Sequence, residues 1–377
     1  MSGRKKIVQV ISHLELGGAE NVALDIIEGL RQEFTFHVFA VLEDHSKSTI
    51  HRALVKRMND MQVSHSFGTR LPFKFGGAIQ AAFRLTRFPR GAILHLHTEI
   101  PELTAALSRP LLPPGTQILR TIHNTRLWGG WERVGQFAER KLQEAMFAAV
   151  SESALQAQLE LRHRSAVAAP ASHQARVIYN GVGLPPGQFY TSRRDNDPVR
   201  VLFAGRLEPQ KGADLLPEIV ELASALAQEK AILTIAGEGS LREKLAREMK
   251  GASNHWSVLL SDPIPNLSQK LVDYDLVLMP SRFEGLGLLA IEALLTGLPV
   301  VASDAPGLNE VVKPDDPLST RTEDVQSIAQ VLADAIDRID LHTSRVRANR
   351  RALIQKFDRD KMIDAYRQVY REMLQER

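Results

Sequence analysis

Met279-Pro280-Ser281-Arg282-Phe283-Glu284-Gly285-Leu286-Gly287 runs on through Glu292 to Gly297-Leu298-Pro299-Val300-Val301. It reads as the end of a buried strand, a glycine-punctuated loop, a short helix and the start of a second buried strand. Leu276 to Met279 is the unbroken apolar run of a parallel strand covered on both faces, and Pro280, with no N–H to give a ladder, stops it. Gly285 and Gly287 keep side chains away where the chain turns into the helix. A helix start of this kind leaves backbone N–H groups pointing outward and is a natural seat for a phosphate. Glu284 and Glu292 bracket that seat. If the residues between them are helical, the two carboxylates are separated by roughly 12 Å along the axis, too far to share a proton or one metal ion. That separation suits grips on two ends of an extended ligand. The plain alternative is a strand-to-helix connection with two solvated glutamates.

The chain has 377 residues, more than one core usually serves, so two domains are expected. Its composition, 44% hydrophobic and 24% charged, is that of a globular protein able to fill two cores. With no cysteine, disulfides and thiolate metal sites are excluded. The apolar run Ile7 to Ile11 after Met1-Ser2-Gly3-Arg4-Lys5-Lys6 is too brief for a signal peptide or a membrane span, so a cytoplasmic location is expected. Residues 1–185 carry 22 Lys and Arg against 15 Asp and Glu, whereas the rest of the chain is net acidic. A basic first half is suited to an anionic membrane face or an acidic substrate, or is simply a solvated surface. Nothing in the chain points to nucleic acid.

Read in order, Ile7 to Ile11 is a first buried strand, and Gly17-Gly18-Ala19-Glu20 opens a helix to about Leu30, as at the start of a doubly wound domain. Gly17-Gly18 lacks the full dinucleotide spacing, so no NAD site is expected there. From Thr69 to Arg90, Phe73, Phe75, Phe83 and Phe88 interleave with Arg70, Lys74, Arg84, Arg87 and Arg90, a pattern that fits either a membrane surface or an aromatic face turned to the core. His95 and His97 end another strand on one shared face, and no third metal ligand accompanies them. His123 follows the strand Ile118 to Ile122, at the carboxyl end where α/β sheets place functional groups. Pro185-Pro186-Gly187 and the polar run to Asp197-Pro198 form the best linker. Beyond it a second strand-and-helix series begins at Val199, with a helix running on from Asp214 and a charged helical end from Thr322 onward.

Several of these segments together resemble the retaining glycosyltransferases of family 4. Phe283-Glu284-Gly285-Leu286-Gly287-Leu288 with Ile291-Glu292-Ala293 and Gly297 to Ala302 resembles the paired-glutamate motif. Gly205-Arg206-Leu207 with Lys211-Gly212 is similar to the diphosphate loop, and Ile178 to Val182 to the entry of the linker. The resemblance implies the GT-B fold, with two facing Rossmann-like domains and the active site in their cleft. It places an acceptor-binding domain at residues 1–184, with the terminal helix of about 360–377 packing back on it, and a nucleotide-sugar-binding domain at 185–359. It also implies transfer, with retention, from a nucleotide-diphosphate sugar to a saccharide, lipid-linked or small-molecule acceptor. No metal or other cofactor is implied, and peripheral membrane contact through the basic N-terminal domain is a further expectation.

The chemistry requires charge stabilisation on the departing diphosphate, for which Arg206 and Lys211 bring cations and the amides of Gly285, Leu286, Gly287 and Leu288 bring oriented donors. By the same resemblance Glu284 holds the hydroxyls of the transferred sugar, Glu292 accepts hydrogen bonds from the ribose, and His123 positions or activates the sugar. Gly17, Gly18 and Gly205 complete the donor set, and Glu310 is a candidate addition. Ala305-Pro306-Gly307-Leu308 departs from the family by having one glycine where a pair is usual, which puts the local donor contacts in question. Asp273-Tyr274-Asp275 spells the metal motif of a different glycosyltransferase fold and reads here as a decoy ahead of a buried strand. Two competing readings stay open: a sugar-nucleotide hydrolase or epimerase of the same fold, and an idle subunit that binds a sugar nucleotide. Binding alone would not need Glu284, Glu292, Arg206, Lys211 and His123 together, which argues against the second.

Overall fold

A computed structural model describes residues 6–14, 17–42, 49–69, 74–183, 197–249 and 256–375. The linker expected around Pro185-Pro186-Gly187, and Arg70 and Phe73 of the basic aromatic segment, lie outside them. The chain divides into unit 1, residues 1–181 with 359–377, and unit 2, residues 182–358.

In unit 1 the described strands are β1 (Lys6–Ile11), β2 (Thr35–Leu42), β3 (Ser64–Thr69), β4 (Ile93–His97), β5 (Gln117–Ile122), β6 (Met146–Ala149) and β7 (Ala175–Val177). They form one parallel sheet in the order β3-β2-β1-β4-β5-β6-β7. Its helices are α1 (Gly18–Leu30), α2 (Thr49–Asp60), α3 (Lys74–Leu85), α4 (Glu99–Ser108), α5 (Glu132–Lys141) and α6 (Glu152–Arg164). In unit 2, β8 (Val199–Ala204), β9 (Ala231–Ala236), β10 (Trp256–Ser261), β11 (Leu276–Met279), β12 (Val300–Ser303) and β13 (Ser319–Thr320) form a second parallel sheet, ordered β10-β9-β8-β11-β12-β13. Its helices are α7 (Leu216–Leu226), α8 (Arg242–Glu248), α9 (Leu267–Lys270), α10 (Leu288–Thr296), α11 (Val325–Asp337) and α12 (Ile339–Lys356). The terminal α13 (Arg359–Gln375) rejoins unit 1 and packs on α1, with Ile363 so close to Gly29 that a Cβ there would meet it at 2.6 Å.

Both sheets reverse their strand order once, at β1/β4 and at β8/β11. In an open α/β sheet the crevice beyond the carboxyl ends of the strands at such a switch point is where ligands bind. The core of unit 2 is built by Val199, Val201 and Phe203 of β8 with Leu276 and Leu278 of β11 and Ile328, Leu332 and Ile336 of α11. Burying each such side chain contributes about 1.5–3 kcal/mol, which fixes the strands whose ends carry the polar residues.

Two local expectations are corrected. The helix does not run on from Asp214: that residue sits in a 3-10 turn, Ala213–Leu215, entered from Gly212 at φ 70, and the α-helix starts at Leu216 with a proline in its first turn. Nor is the whole stretch between Glu284 and Glu292 helical. α10 starts at Leu288 behind Gly287, whose φ of 82 lies in the left-handed region, so Glu284 stands in a loop and the helical spacing does not apply.

Candidate active site

In unit 2 the loop after β8 meets the loop after β11. Gly212 makes the approach possible, since a Cβ there would lie 2.0 Å from the carbonyl oxygen of Pro280. Lys211 Nζ reaches across and donates to both carboxylate oxygens of Glu284, at 2.7 and 2.8 Å. Ser281 donates a further hydrogen bond to the same carboxylate at 2.8 Å, and Glu284 is only 5% exposed. Arg206 is exposed beside them and donates to the Gln210 side-chain carbonyl, while the Gln210 amide donates to the carbonyl of Phe283. Gly205, Arg206, Lys211, Glu284 and Gly285 are thus brought to one end of the sheet, at its switch point.

The amides of Leu286, Gly287 and Leu288 make no hydrogen bond among the described residues. Together with the dipole of α10 they form an oriented donor group suited to an anion. Glu292 lies one turn into α10 and is half-buried. Gly307 packs under the loop, where a Cβ would meet the Glu284 carbonyl at 2.4 Å, and Glu310 follows in a 3-10 turn. One glycine therefore suffices for the close approach at this point.

The sequence reading missed the residue that ties the loops together. Arg282 donates to both oxygens of Asp214 at 2.7 and 2.9 Å, to Glu323 at 2.5 Å and to the carbonyl of Pro209. Hydrogen bonds to Asp214 and Glu323 outweigh burial and hold its guanidinium well above its ordinary pKa. Burial alone would raise the Asp214 carboxyl, but its bond to Arg282 holds it below the usual carboxylate range. The Asp273-Tyr274-Asp275 pattern has a structural use, because buried Asp275 receives the Arg200 guanidinium at 3.1 Å from two nitrogens and the Arg200 amide at 2.7 Å. Among the described residues no three His, Cys, Asp or Glu are grouped as a metal site.

Unit 1 places its candidates at the carboxyl ends of β1, β4 and β5. Gly17 precedes α1, with the Glu20 carboxylate folded over it where a Cβ would lie 2.0 Å from Oε2, and Gly18 opens the helix. His123, just beyond β5, bonds through Nε2 to His97 Nδ1 at 2.9 Å, and burial pushes it down to about 3. Ser12 and Thr98 join hydroxyls at 2.7 Å between the ends of β1 and β4, and Thr98 holds φ at 74, a strained value for a β-branched residue. His95 and His97 do share one face, with ring centroids 4.2 Å apart.

Two family profiles match the chain: one of glycosyltransferase family 4 over residues 16–184, and one of glycosyl transferases group 1 over residues 188–352. Glycogen synthase of Mycobacterium tuberculosis is 30% identical over 208 residues, 53% of this chain and 49% of the relative. D-inositol 3-phosphate glycosyltransferase of Jonesia denitrificans is 34% identical over 122 residues, 30% of this chain and 28% of that protein. The chain thus spans about half or less of the length of these curated relatives. Among solved structures, Anabaena Alr3699/HepE in complex with UDP-glucose superposes with a TM-score of 0.76 at 17% identity, covering 98% of this chain and 99% of that one. Sucrose-phosphate synthase from Thermosynechococcus elongatus gives 0.75 at 18%, with the same coverage of both chains. These likenesses establish the GT-B fold of two Rossmann-like units.

Proposed function

We propose that this glycosyltransferase family 4-like chain is a retaining, hexosyltransferase-type glycosyltransferase, moving a sugar from a nucleotide-diphosphate donor to a saccharide, lipid-linked or small-molecule acceptor. The observation that carries the reading is the convergence of Lys211, Arg206, Glu284 and the amides heading α10 at the switch point of the second sheet. A diphosphate needs cations and oriented N–H donors, and a transferred hexose needs a carboxylate acceptor for its hydroxyls; both sets are present within a few residues. Donor binding is assigned to Gly205, Arg206, Lys211, Gly285 to Leu288 and Glu292. Catalysis of transfer is assigned to Glu284, with charge stabilisation from Arg206 and Lys211 and sugar positioning by His123. Gly17 and Gly18, at the first switch point, complete the proposed set. Retention and independence from metal rest on the resemblance of the Glu284 to Glu292 segment. UDP-glucose in the complex of Anabaena Alr3699/HepE supports a nucleotide sugar as the donor class.

Peripheral contact with an anionic membrane belongs to the same proposal. On α3, Ile79 and Phe83 are 54% and 62% exposed, and Arg84, Arg87 and Arg90 are exposed beside them. Aromatic and cationic side chains so mixed suit the headgroup boundary. No helix of the described residues is long and apolar enough to cross a membrane. The test of the function is to incubate the full chain with UDP-, GDP- and ADP-sugars and a panel of sugar and lipid-linked acceptors, reading the anomeric configuration of the product by NMR. A glycoside of the donor's own configuration supports the reading. Release of free sugar, an inverted glycoside, or binding without turnover contradicts it and favours the hydrolase or idle-subunit readings.

A further inference from the structure

One face of the first sheet carries a continuous hydrogen-bonded chain of buried polar side chains, although parallel strands in such a position are usually apolar on both faces. Gln9 interrupts the apolar run of β1 and is fully buried, as are His95 and His97 of β4 and, within 1% exposure, Thr121 of β5 and Tyr370 of α13. The links can be followed atom by atom. His123 Nε2 lies 2.9 Å from His97 Nδ1, and His97 Nε2 lies 2.7 Å from the Gln9 side-chain oxygen. The Gln9 amide nitrogen donates to the Tyr370 hydroxyl at 3.0 Å, and that hydroxyl lies 2.7 Å from His95 Nδ1. His95 Nε2 lies 2.6 Å from the Thr121 hydroxyl, which meets Tyr366 at 3.0 Å.

From the Gln9 oxygen to His123 each link fixes the next, because the groups differ in what they can give. An amide oxygen only accepts, so His97 must donate from Nε2; a neutral imidazole has one N–H, so its Nδ1 must accept. His123 therefore carries its proton on Nε2 and keeps a bare Nδ1, which has no partner among the described residues. On the other side Tyr370 accepts from Gln9, and its hydroxyl pairs with His95 Nδ1 while that ring pairs through Nε2 with the Thr121 hydroxyl.

We propose that Gln9, His97 and Tyr370 are positioning residues that hold His123 in one neutral tautomer, its Nδ1 lone pair offered as an acceptor to a hydroxyl of the bound sugar. The inference rests on the proposed transferase reading for the role of His123, but not for its tautomer. It also gives α13 a use beyond packing: the helix supplies the hydroxyl that receives the Gln9 amide N–H. Burial lowers the rings of His95 and His97 well below the ordinary histidine value and so holds them neutral.

The test is a long-range proton–nitrogen NMR spectrum of the histidine rings in the full chain at pH 7.5 without ligand, on wild type, Gln9→Leu and Tyr370→Phe. The expected result is a protonated Nε2 and bare Nδ1 on both His97 and His123 in wild type. Gln9→Leu should turn His123 into a mixture of tautomers, with Tyr370→Phe intermediate, and should cut kcat about tenfold with the donor KM unchanged. A His123 protonated on Nδ1 in wild type, as a reversed Gln9 amide would impose, overturns the proposal, whether or not the variants fold. So does a Gln9→Leu variant that keeps the single wild-type tautomer. Failure of transfer with the tautomers as expected counts against the functional reading alone.

Discussion

Lys211 Nζ stands 2.7 Å from one carboxylate oxygen of Glu284 and 2.8 Å from the other, so the proposed phosphate-binding cation is paired with the proposed sugar-binding carboxylate. The Lys211 side chain is 23% exposed and that of Glu284 7%, so the pair is neither fully screened nor fully desolvated.

Removing the cation takes two charge-assisted hydrogen bonds from a nearly buried carboxylate. Lys211→Ala should destabilise the protein by about 1–3 kcal/mol in urea denaturation, and Lys211→Ala with Glu284→Gln should recover part of it. A double variant as unstable as the sum of the singles would show that the pair contributes nothing.

Arg282 fixes the relative position of the loops after β8 and β11 through Asp214, Glu323 and the Pro209 carbonyl. Lysine cannot reproduce a fork that grips both oxygens of one carboxylate and two further acceptors. Arg282→Lys should cost about 1–3 kcal/mol and weaken donor binding, although the residue is not assigned to touch the donor. Wild-type stability in Arg282→Lys would remove the clamp from the account.

Backbone approach makes a third prediction. At Gly212 the φ of 70 and the 2.0 Å gap between a new Cβ and the Pro280 carbonyl both oppose any side chain. Gly212→Ala should lose more than about 1 kcal/mol and separate Lys211 from Glu284. Gly130, with φ 77 but nothing within 4 Å of a new Cβ, is the control, expected to show the conformational cost alone.

The histidines set a dependence on pH. Burial lowers His123 to about 3 and, with the charges of Lys6 and His65 adding, His37 to about 4; His95 and His97 also lie well below the ordinary value. The unfolded chain takes up these protons near pH 6.5 and the folded chain does not, so their contribution to stability is full above that pH and is lost as pH falls toward the folded values. Each histidine kept neutral steepens the fall by up to about 1.4 kcal/mol per pH unit. Urea midpoints between pH 7.5 and 5 should drop accordingly, and His37→Gln should flatten the drop. A midpoint constant over that range would contradict the burial of the histidine cluster.

What the sequence made legible follows from how local the signal is. β11 matches its apolar run residue for residue, and α1 starts behind Gly17, because period and punctuation lie within a few residues. Lys211 and Glu284 could be named from motif resemblance, but their contact joins residues 73 apart. Arg282 carries no local signal of its role, because its partners, Asp214 and Glu323, are 68 and 41 residues away. The Gln9 to Tyr370 bond spans 361 residues, and only the polar Gln9 within an apolar strand and the shared face of His95 and His97 hinted at it. The late start of α10 was hidden because Gly287 adopts a left-handed turn that an apolar pattern does not encode.

The central claim is that the loops after β8 and β11, with the first turn of α10, bind a nucleotide-diphosphate sugar. Calorimetric titration of UDP-, GDP- and ADP-glucose into wild type, Lys211→Ala and Glu292→Ala tests it most directly. The account predicts saturable one-to-one binding of at least one of these to wild type, weakened tenfold or more (about 1.4 kcal/mol) in each variant. Binding of equal strength in all three proteins, or none to wild type by any of the three donors, would contradict it.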